Sequence, residues 1–357
     1  MRFAACALGL VVVTACTRPG EDRALGEAAV GHAELAGLTV DITGGLGVIR
    51  ALAPGQLTVW ASAPTIELTL TATAAGPTRW HLTVENALPD AALASPTLTL
   101  VAPGPRPRPT VLVEDVDLVA GRHTLTLAPP DEAPGPFRFA AVADLQTGLP
   151  IVDQVFREIA TTAPRFVVVM GDLTERGEVA EYDLLASQLA TLPVPFYPTL
   201  GNHELWADDA RYRERYGRSS YQFVYRGVAF TFVDSGDAGL DPLVEDALDG
   251  WLAAARDQVH VFLTHIPPID PVGMRYGSFR SRRDGHRLLD KLAAGGVDLT
   301  LYGHIHSYLA FENAGIPAFI SGGGGARPER WDGIGHHFLV VDLAPTGKPT
   351  VGVRRVD

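Results

Sequence analysis

"FAAVADLQTG", residues 139–148, carries an apolar run straight into Asp144, with Gln146 two positions on. An acid at the end of such a run has two readings. It caps the helix that begins near Pro150, or it points a carboxylate, and the amide beside it, into a site. The same pattern recurs along the chain. "RFVVVMGD" (165–172) ends in Asp172, and "PVPFYPTLGNHE" (193–204) reaches Asn202 and His203. "QVHVFLTH" (258–265) ends in His265, and "VDLTLYGHIH" (297–306) in His304 and His306. Short, uninterrupted apolar runs are the mark of strands buried on both faces. Open α/β sheets bind ligands at the carboxyl ends of their strands. Five strands would therefore deliver Asp, Gln, Asn and His side chains to one edge. Each piece alone is an ordinary turn or cap, but in this order they make a metal-competent set.

The segments between these runs are helical in pattern. Ile151, Val152, Val155, Phe156 and Ile159 form one apolar stripe, and Val179, Tyr182, Leu185 and Leu189 a second. Leu243, Leu248, Trp251 and Leu252 form a third, and Leu288, Leu289 and Leu292 a fourth. Strands alternating with helices read as an α/β domain over 137–357. From 35 to 130 the texture is different. "GQLTVWASA", "TIELTLTATA" and "RHTLTLAPP" are short runs rich in Val, Leu, Ile and Thr, punctuated by Gly and Pro. They predict an all-β, immunoglobulin-like antiparallel sandwich of about seven strands, with Trp60 and Trp80 in its core. Its role reads either as a spacer or as a carbohydrate- or partner-binding module. "PPDEAPGP" (129–136) reads as the linker between the two domains.

The chain has 357 residues, a formal net charge of −12 and a pI near 5.4. An acidic chain argues against a nucleic-acid-binding surface unless a basic patch is concentrated somewhere. The start reads as an export signal over 1–15: Arg2 is followed by an apolar stretch, Phe3 to Val13, too short for the roughly 20 residues of a spanning helix. Val13-Thr14-Ala15-Cys16 resembles a bacterial lipobox. That resemblance implies cleavage before Cys16, lipidation at Cys16 and a membrane contact through the lipid anchor alone. Thr17 after the cysteine implies the outer membrane. Residues 16–34 then read as a polar tether. The chain has only two cysteines, Cys6 and Cys16. Cys6 would leave with the signal and Cys16 would carry lipid, so no disulfide, cysteine nucleophile or zinc thiolate remains.

Taken together, Asp144-x-Gln146, Gly171-Asp172, Gly201-Asn202-His203-Glu204, His265 and Gly303-His304-x-His306 resemble the calcineurin-like metallophosphoesterase superfamily. Its pattern is D-x-H, G-D, G-N-H-[DE], a later His and G-H-x-H, and the resemblance covers 137–341. It implies a four-layer α/β/β/α sandwich with two divalent metal ions between the sheets. Asp144, Gln146 and His306 would hold the first metal, Asp172 would bridge, and Asn202, His265 and His304 would hold the second. His203 would stabilise the transition state or protonate the leaving group, so His203 and Asp172 are the catalytic candidates. The implied reaction is hydrolysis of a small anionic phosphomonoester, phosphodiester or pyrophosphate. The β-domain-first layout is that of the purple acid phosphatases, but Glu175 stands where those enzymes carry their metal-binding Tyr.

Gln146 departs from the family's usual His. With it the first site offers three oxygens to one nitrogen, which favours manganese, magnesium or iron(II) over zinc. A Gln there resembles the manganese-dependent ADP-ribose/CDP-alcohol diphosphatases. It also fits a weakened site, in a lipoprotein that keeps the fold as a binding or scaffold module. Arg176 would grip phosphate or make a surface ion pair. Arg280, in "MRYGSFRSRR" (274–283), would steer an anion or sit in a solvated loop. The Gly-rich "SGGGGARPERW" (321–331) would bring backbone close to the site or make a turn, and at most one of His336 and His337 would face it.

Overall fold

The computed structural model describes residues 19–73, 79–101, 104–274 and 276–356. The expected signal segment, Cys16 and Arg275 lie outside the described residues. Helix α1 (Pro19–Glu27) comes first. Ten strands follow: β1 (His32–Leu35), β2 (Leu38–Ile42), β3 (Gly47–Ala53), β4 (Gln56–Ala61), β5 (Ile66–Ala72), β6 (Arg79–Glu85), β7 (Ala92–Ala94), β8 (Thr99–Leu100), β9 (Val111–Asp117) and β10 (Gly121–Ala128). They make two five-stranded sheets, in the orders β1-β2-β5-β10-β7 and β3-β4-β6-β9-β8. Alternating residues, such as Leu82 and Val84 on β6 and Leu125 and Leu127 on β10, fill the core.

Two expectations are corrected here. About seven antiparallel strands were expected, whereas the described residues form ten and β4 pairs with β6 in parallel. The reason is topological: β5 crosses to the other sheet, so β6 returns alongside β4 in the same direction. The tether read over 16–34 is also not an extended linker. Arg23 of α1 pairs with Asp234 at 2.9 Å and Asp237 at 2.6 Å, and Glu27 accepts the Ser219 N–H at 2.8 Å. Buried ion pairs and hydrogen bonds, not an apolar stripe, hold this helix to the second half of the chain.

That half continues with β11 (Phe137–Val142), α2 (Val152–Thr161), β12 (Val167–Met170), α3 (Val179–Leu189), β13 (Phe196–Thr199), α4 (Ala210–Tyr216), β14 (Tyr221–Tyr225), β15 (Val228–Val233), α5 (Pro242–Ala254), β16 (Val259–Thr264), α6 (Arg282–Ala294), β17 (Leu299–Tyr302), β18 (Tyr308–Asn313), β19 (Ile316–Ser321), β20 (His337–Leu343) and β21 (Thr350–Arg355). One sheet runs β13-β12-β11-β20-β21, the other β14-β15-β16-β17-β19-β18. Strands β11 to β13 are parallel to each other, as are β15, β16, β17 and β19, with antiparallel strands added at the edges.

The period-two rule sets the layers. On β11, Phe139 and Ala141 face the second sheet, while Ala140 and Val142 face α2 and α3. Phe139 meets Phe166 and Phe230 with ring centroids 5.9 and 5.2 Å apart, so aromatic rings fill the space between the sheets. Burying each such ring contributes about 2–3 kcal/mol relative to leaving it in water. Leu248 and Leu252 of α5 and Leu288 and Leu292 of α6 cover the outer face of the second sheet, against Phe262 and Tyr302. The result is an α/β/β/α stack of two mixed sheets. Ile151, Val179 and Leu243, expected on the packed stripes, are exposed. Each lies at the start of its helix, and burial begins at Val152, Tyr182 and Val244.

Candidate metal centre

The carboxyl ends of β11, β12, β13, β16 and β17 meet at one edge of the stacked sheets. Asp144, Gln146, Asp172 and His304 all have positive φ, at 60°, 30°, 55° and 70°. For residues with a Cβ this region costs about 1–3 kcal/mol each, and such strain persists only where surroundings impose it. Here the chain turns sharply at a strand end to aim a side chain back over the edge. The turns are tied together: the Asp144 N–H donates to Gly171 O at 3.1 Å and the Leu145 N–H to Asp172 O at 2.8 Å. Gly201 is required by close approach, since a Cβ there would lie 2.2 Å from Asp172 Oδ1.

Asp172 is the hub. Its Oδ1 accepts the His203 N–H at 3.0 Å. Its Oδ2 lies 3.2 Å from His265 Nε2 and 3.8 Å from His203 Nε2, and takes a hydrogen bond from the Gln146 amide. His265 Nε2 is also 3.2 Å from Asn202 Oδ1. The ligating atoms of Asp172, His265 and His304 lie within 4.8 Å of one another. On the other side, Asp144 Oδ2 accepts the His304 N–H at 2.9 Å, and Oδ1 faces His306 Nε2 at 3.4 Å.

Each imidazole is oriented by a carbonyl behind it. Nδ1–H donates from His265 to Met170 O at 2.6 Å, from His203 to Glu175 O at 2.6 Å and from His306 to Arg327 O at 3.1 Å. In all three this leaves Nε2 pointing into the site. His304 is reversed: its Nε2–H donates to Tyr276 O at 2.7 Å, so Nδ1 is the free nitrogen. Such anchoring fixes tautomer and ring orientation in metal-ligating histidines.

The electrostatics ask for a cation. Asp144 Oδ1 is buried and makes no hydrogen bond, with only His306 Nε2 facing it at 3.4 Å, and a buried carboxylate oxygen so weakly satisfied is costly. Burial alone would push the Asp172 carboxyl up, but His265 and His203 hold it well below the usual carboxylate range. Burial acts to lower His265, yet Asp172 raises it to about 9. A bound divalent cation would take over the role of the His265 proton. The donor set of carboxylates, amides and imidazole nitrogens therefore fits divalent metal.

All seven expected ligand positions come together. Arg176 and Arg280 are both exposed; Arg176 follows the carbonyl that anchors His203, and Arg280 lines a cleft of about 500 Å³ with Asn202 and His304. Of the other arginines of "MRYGSFRSRR", Arg282 and Arg283 begin α6. The Gly-rich segment does reach the site, with the Ala326 N–H donating to Asp144 O at 2.7 Å. His337 is buried, with its Nδ1–H donating to Gly335 O at 2.9 Å.

Sequence reasoning gave no role to Glu204, although it completes "GNHE". Its buried carboxylate accepts Asp172 N–H at 3.1 Å, Gly201 N–H at 2.9 Å, and Thr174 N–H and Oγ1–H at 3.0 and 2.9 Å. Burial and the neighbouring Asp172 push its pKa up. Trp206 was also missed; nothing in its sequence context signals that it stacks on His203.

The family model of the calcineurin-like phosphoesterases matches residues 137–308. A probable cyclic nucleotide phosphodiesterase of Rhodopseudomonas palustris is 31% identical over 180 residues, covering 44% of this chain and 62% of that protein. The chain thus spans less than two thirds of that relative's length. A purple acid phosphatase from yellow lupin (Lupinus luteus) superposes with a TM-score of 0.52 at 14% identity, over 82% of this chain and 70% of the other. A dimetal phosphatase from Danio rerio superposes at 0.51 with 13% identity, over 62% and 96%. At these identities the two structures speak for fold alone.

Proposed function

Residues 137–308 of this chain are a calcineurin-like phosphoesterase domain, and from that premise we propose that the protein hydrolyses phosphate esters or anhydrides with divalent metal. The observation that carries the reading is the buried Asp144 Oδ1, which makes no hydrogen bond and lies at an edge where Asp172, Asn202, His265, His304 and His306 converge. Bound divalent ions supply positive charge that activates water and stabilises phosphate oxygens. Asp144, Gln146 and His306 would hold one ion, Asn202, His265 and His304 the second, with Asp172 between them.

The protein's own groups do the rest. Water adds to phosphorus as the bond to the leaving oxygen breaks, and that oxygen takes a proton. His203 would give it: Nδ1–H is tied to Glu175 O, so Nε2 would carry the mobile proton on the side facing Asp172. Arg176 and Arg280 would attract and hold the anionic substrate from the rim. Phosphomonoesters, phosphodiesters and pyrophosphates are all candidate substrates, and the name of the Rhodopseudomonas palustris relative favours a phosphodiester. With Gln146 in the first site, manganese is the favoured metal, ahead of iron(II), magnesium and zinc. We further propose that Cys16 anchors the exported protein to the outer membrane, and that the all-β half is an immunoglobulin-like support for the catalytic half.

A second reading, a weakened centre serving as a binding or scaffold module, is favoured by one observation: the Gln146 amide donates to Asp172 Oδ2, an oxygen needed for metal. A panel of nitrophenyl mono- and diesters, cyclic nucleotides and ADP-ribose, assayed with manganese, magnesium or zinc, separates the two. We expect turnover of at least one ester, fastest with manganese. No turnover together with no bound metal overturns the enzyme reading.

A further inference from the structure

Only three of the described Phe, Tyr and Trp side chains are exposed: Trp206 (61%), Tyr276 (74%) and Trp331 (53%). All three sit beside candidate site histidines: Trp206 by His203, Tyr276 by His304 and Trp331 by His306. Tyr276 supplies the carbonyl that anchors His304, and Trp331 shares a cleft with His306, Arg327 and Arg330. Every other described Phe, Tyr or Trp ring is buried or partly buried. A chain that buries its rings so thoroughly leaves large ones in water at the one edge where a ligand is expected.

Trp206 is the most informative of the three. It ends the 3₁₀ turn His203–Trp206. Side chains three apart in such a turn eclipse one another, and the indole lies on the His203 imidazole with centroids 4.3 Å apart and planes 23° from parallel. One face of the ring pair is thereby fixed while most of the indole stays open to solvent. His203 is the proposed proton donor to the leaving oxygen, so whatever is attached to that oxygen departs past Trp206.

We infer that Trp206 is a specificity-determining residue whose indole stacks a flat ring of the leaving group, so that the substrates of this site are phosphate esters of nucleosides. The inference rests on the proposed role of His203. A planar base has a π-face that stacks on indole, whereas an alkyl alcohol or a bare sugar does not gain the same contact. The exposed Arg280 and Arg176 suit the phosphate, and Trp206 suits the base.

Equilibrium binding tests this without requiring turnover. The full chain is loaded with manganese and titrated with AMP and with ribose 5-phosphate, which shares the phosphate and sugar but lacks the base. The wild type should prefer AMP by about tenfold or more. Trp206→Ala should bring the preference close to one, and Trp206→Phe should restore most of it. Equal binding of the two ligands by the wild type, or a preference unchanged in Trp206→Ala, overturns the inference. Either result leaves the hydrolase reading standing, since that reading is decided by the ester panel.

Discussion

The Glu204 carboxylate accepts the backbone N–H of Asp172 at 3.1 Å. The same oxygen accepts Gly201 N–H at 2.9 Å, and its partner oxygen takes two donors from Thr174. One buried side chain therefore clamps the loop after β12 to the loop after β13, and those loops carry Asp172, Asn202 and His203. Glu204 touches no candidate ligand atom, so it acts by holding them in place.

Glu204→Gln turns one acceptor oxygen into an NH₂ donor facing backbone N–H groups. We expect manganese affinity to fall about 10–100-fold, the usual effect of removing such support. Stability should fall by about 1–3 kcal/mol for the backbone donors left unpaired. Titration calorimetry with manganese and urea unfolding measure the two effects. Wild-type metal affinity in a folded variant would refute the clamp.

Metal uptake should release protons. Before metal binds, Asp172 raises His265 to about 9 against the lowering effect of burial, so the imidazole is protonated at pH 7. It must be neutral to ligate. Apparent manganese affinity should therefore climb with pH, by about tenfold per unit for one displaced proton, and level off above pH 9. Calorimetry in two buffers of different ionisation enthalpy counts the protons. A count of zero at pH 7 contradicts the Asp172–His265 pairing.

The site was legible where chemistry coincides with a strand end. Asp144, Asp172, Asn202, His265, His304 and His306 each follow an apolar run, because a strand buried on both faces is mostly apolar until it leaves the sheet. The positive φ at Asp144 and His304 was not legible, since it arises from how neighbouring loops interlock. Trp206 was missed because exposure belongs to the folded chain; in the sequence it resembles any core Trp. Helix α1 was misread for another reason. "PGEDRALGE" has no apolar stripe, and what it buries is Arg23 and Glu27, charged residues whose partners lie some two hundred positions away. The parallel β4–β6 pair was equally invisible, because the strand composition does not say which sheet β5 joins.

Glu27 gives that helix a pH signature. Burial pushes the carboxyl up to about 7, against the pull of hydrogen bonds from Ser219. In the unfolded chain it titrates near 4.5. Between these values the folded state holds a proton that the unfolded state has lost. The resulting stabilisation is full below pH 4.5, declines as pH rises through 7 and is absent above it. The shift corresponds to about 3 kcal/mol. Glu27→Gln has no such proton, so the stability of wild type relative to the variant should fall by about this amount between pH 4.5 and pH 8. Urea unfolding of both proteins across that range measures it. Parallel stability curves would mean that the Glu27 carboxyl titrates alike in the folded and unfolded chain, and would refute the raised value.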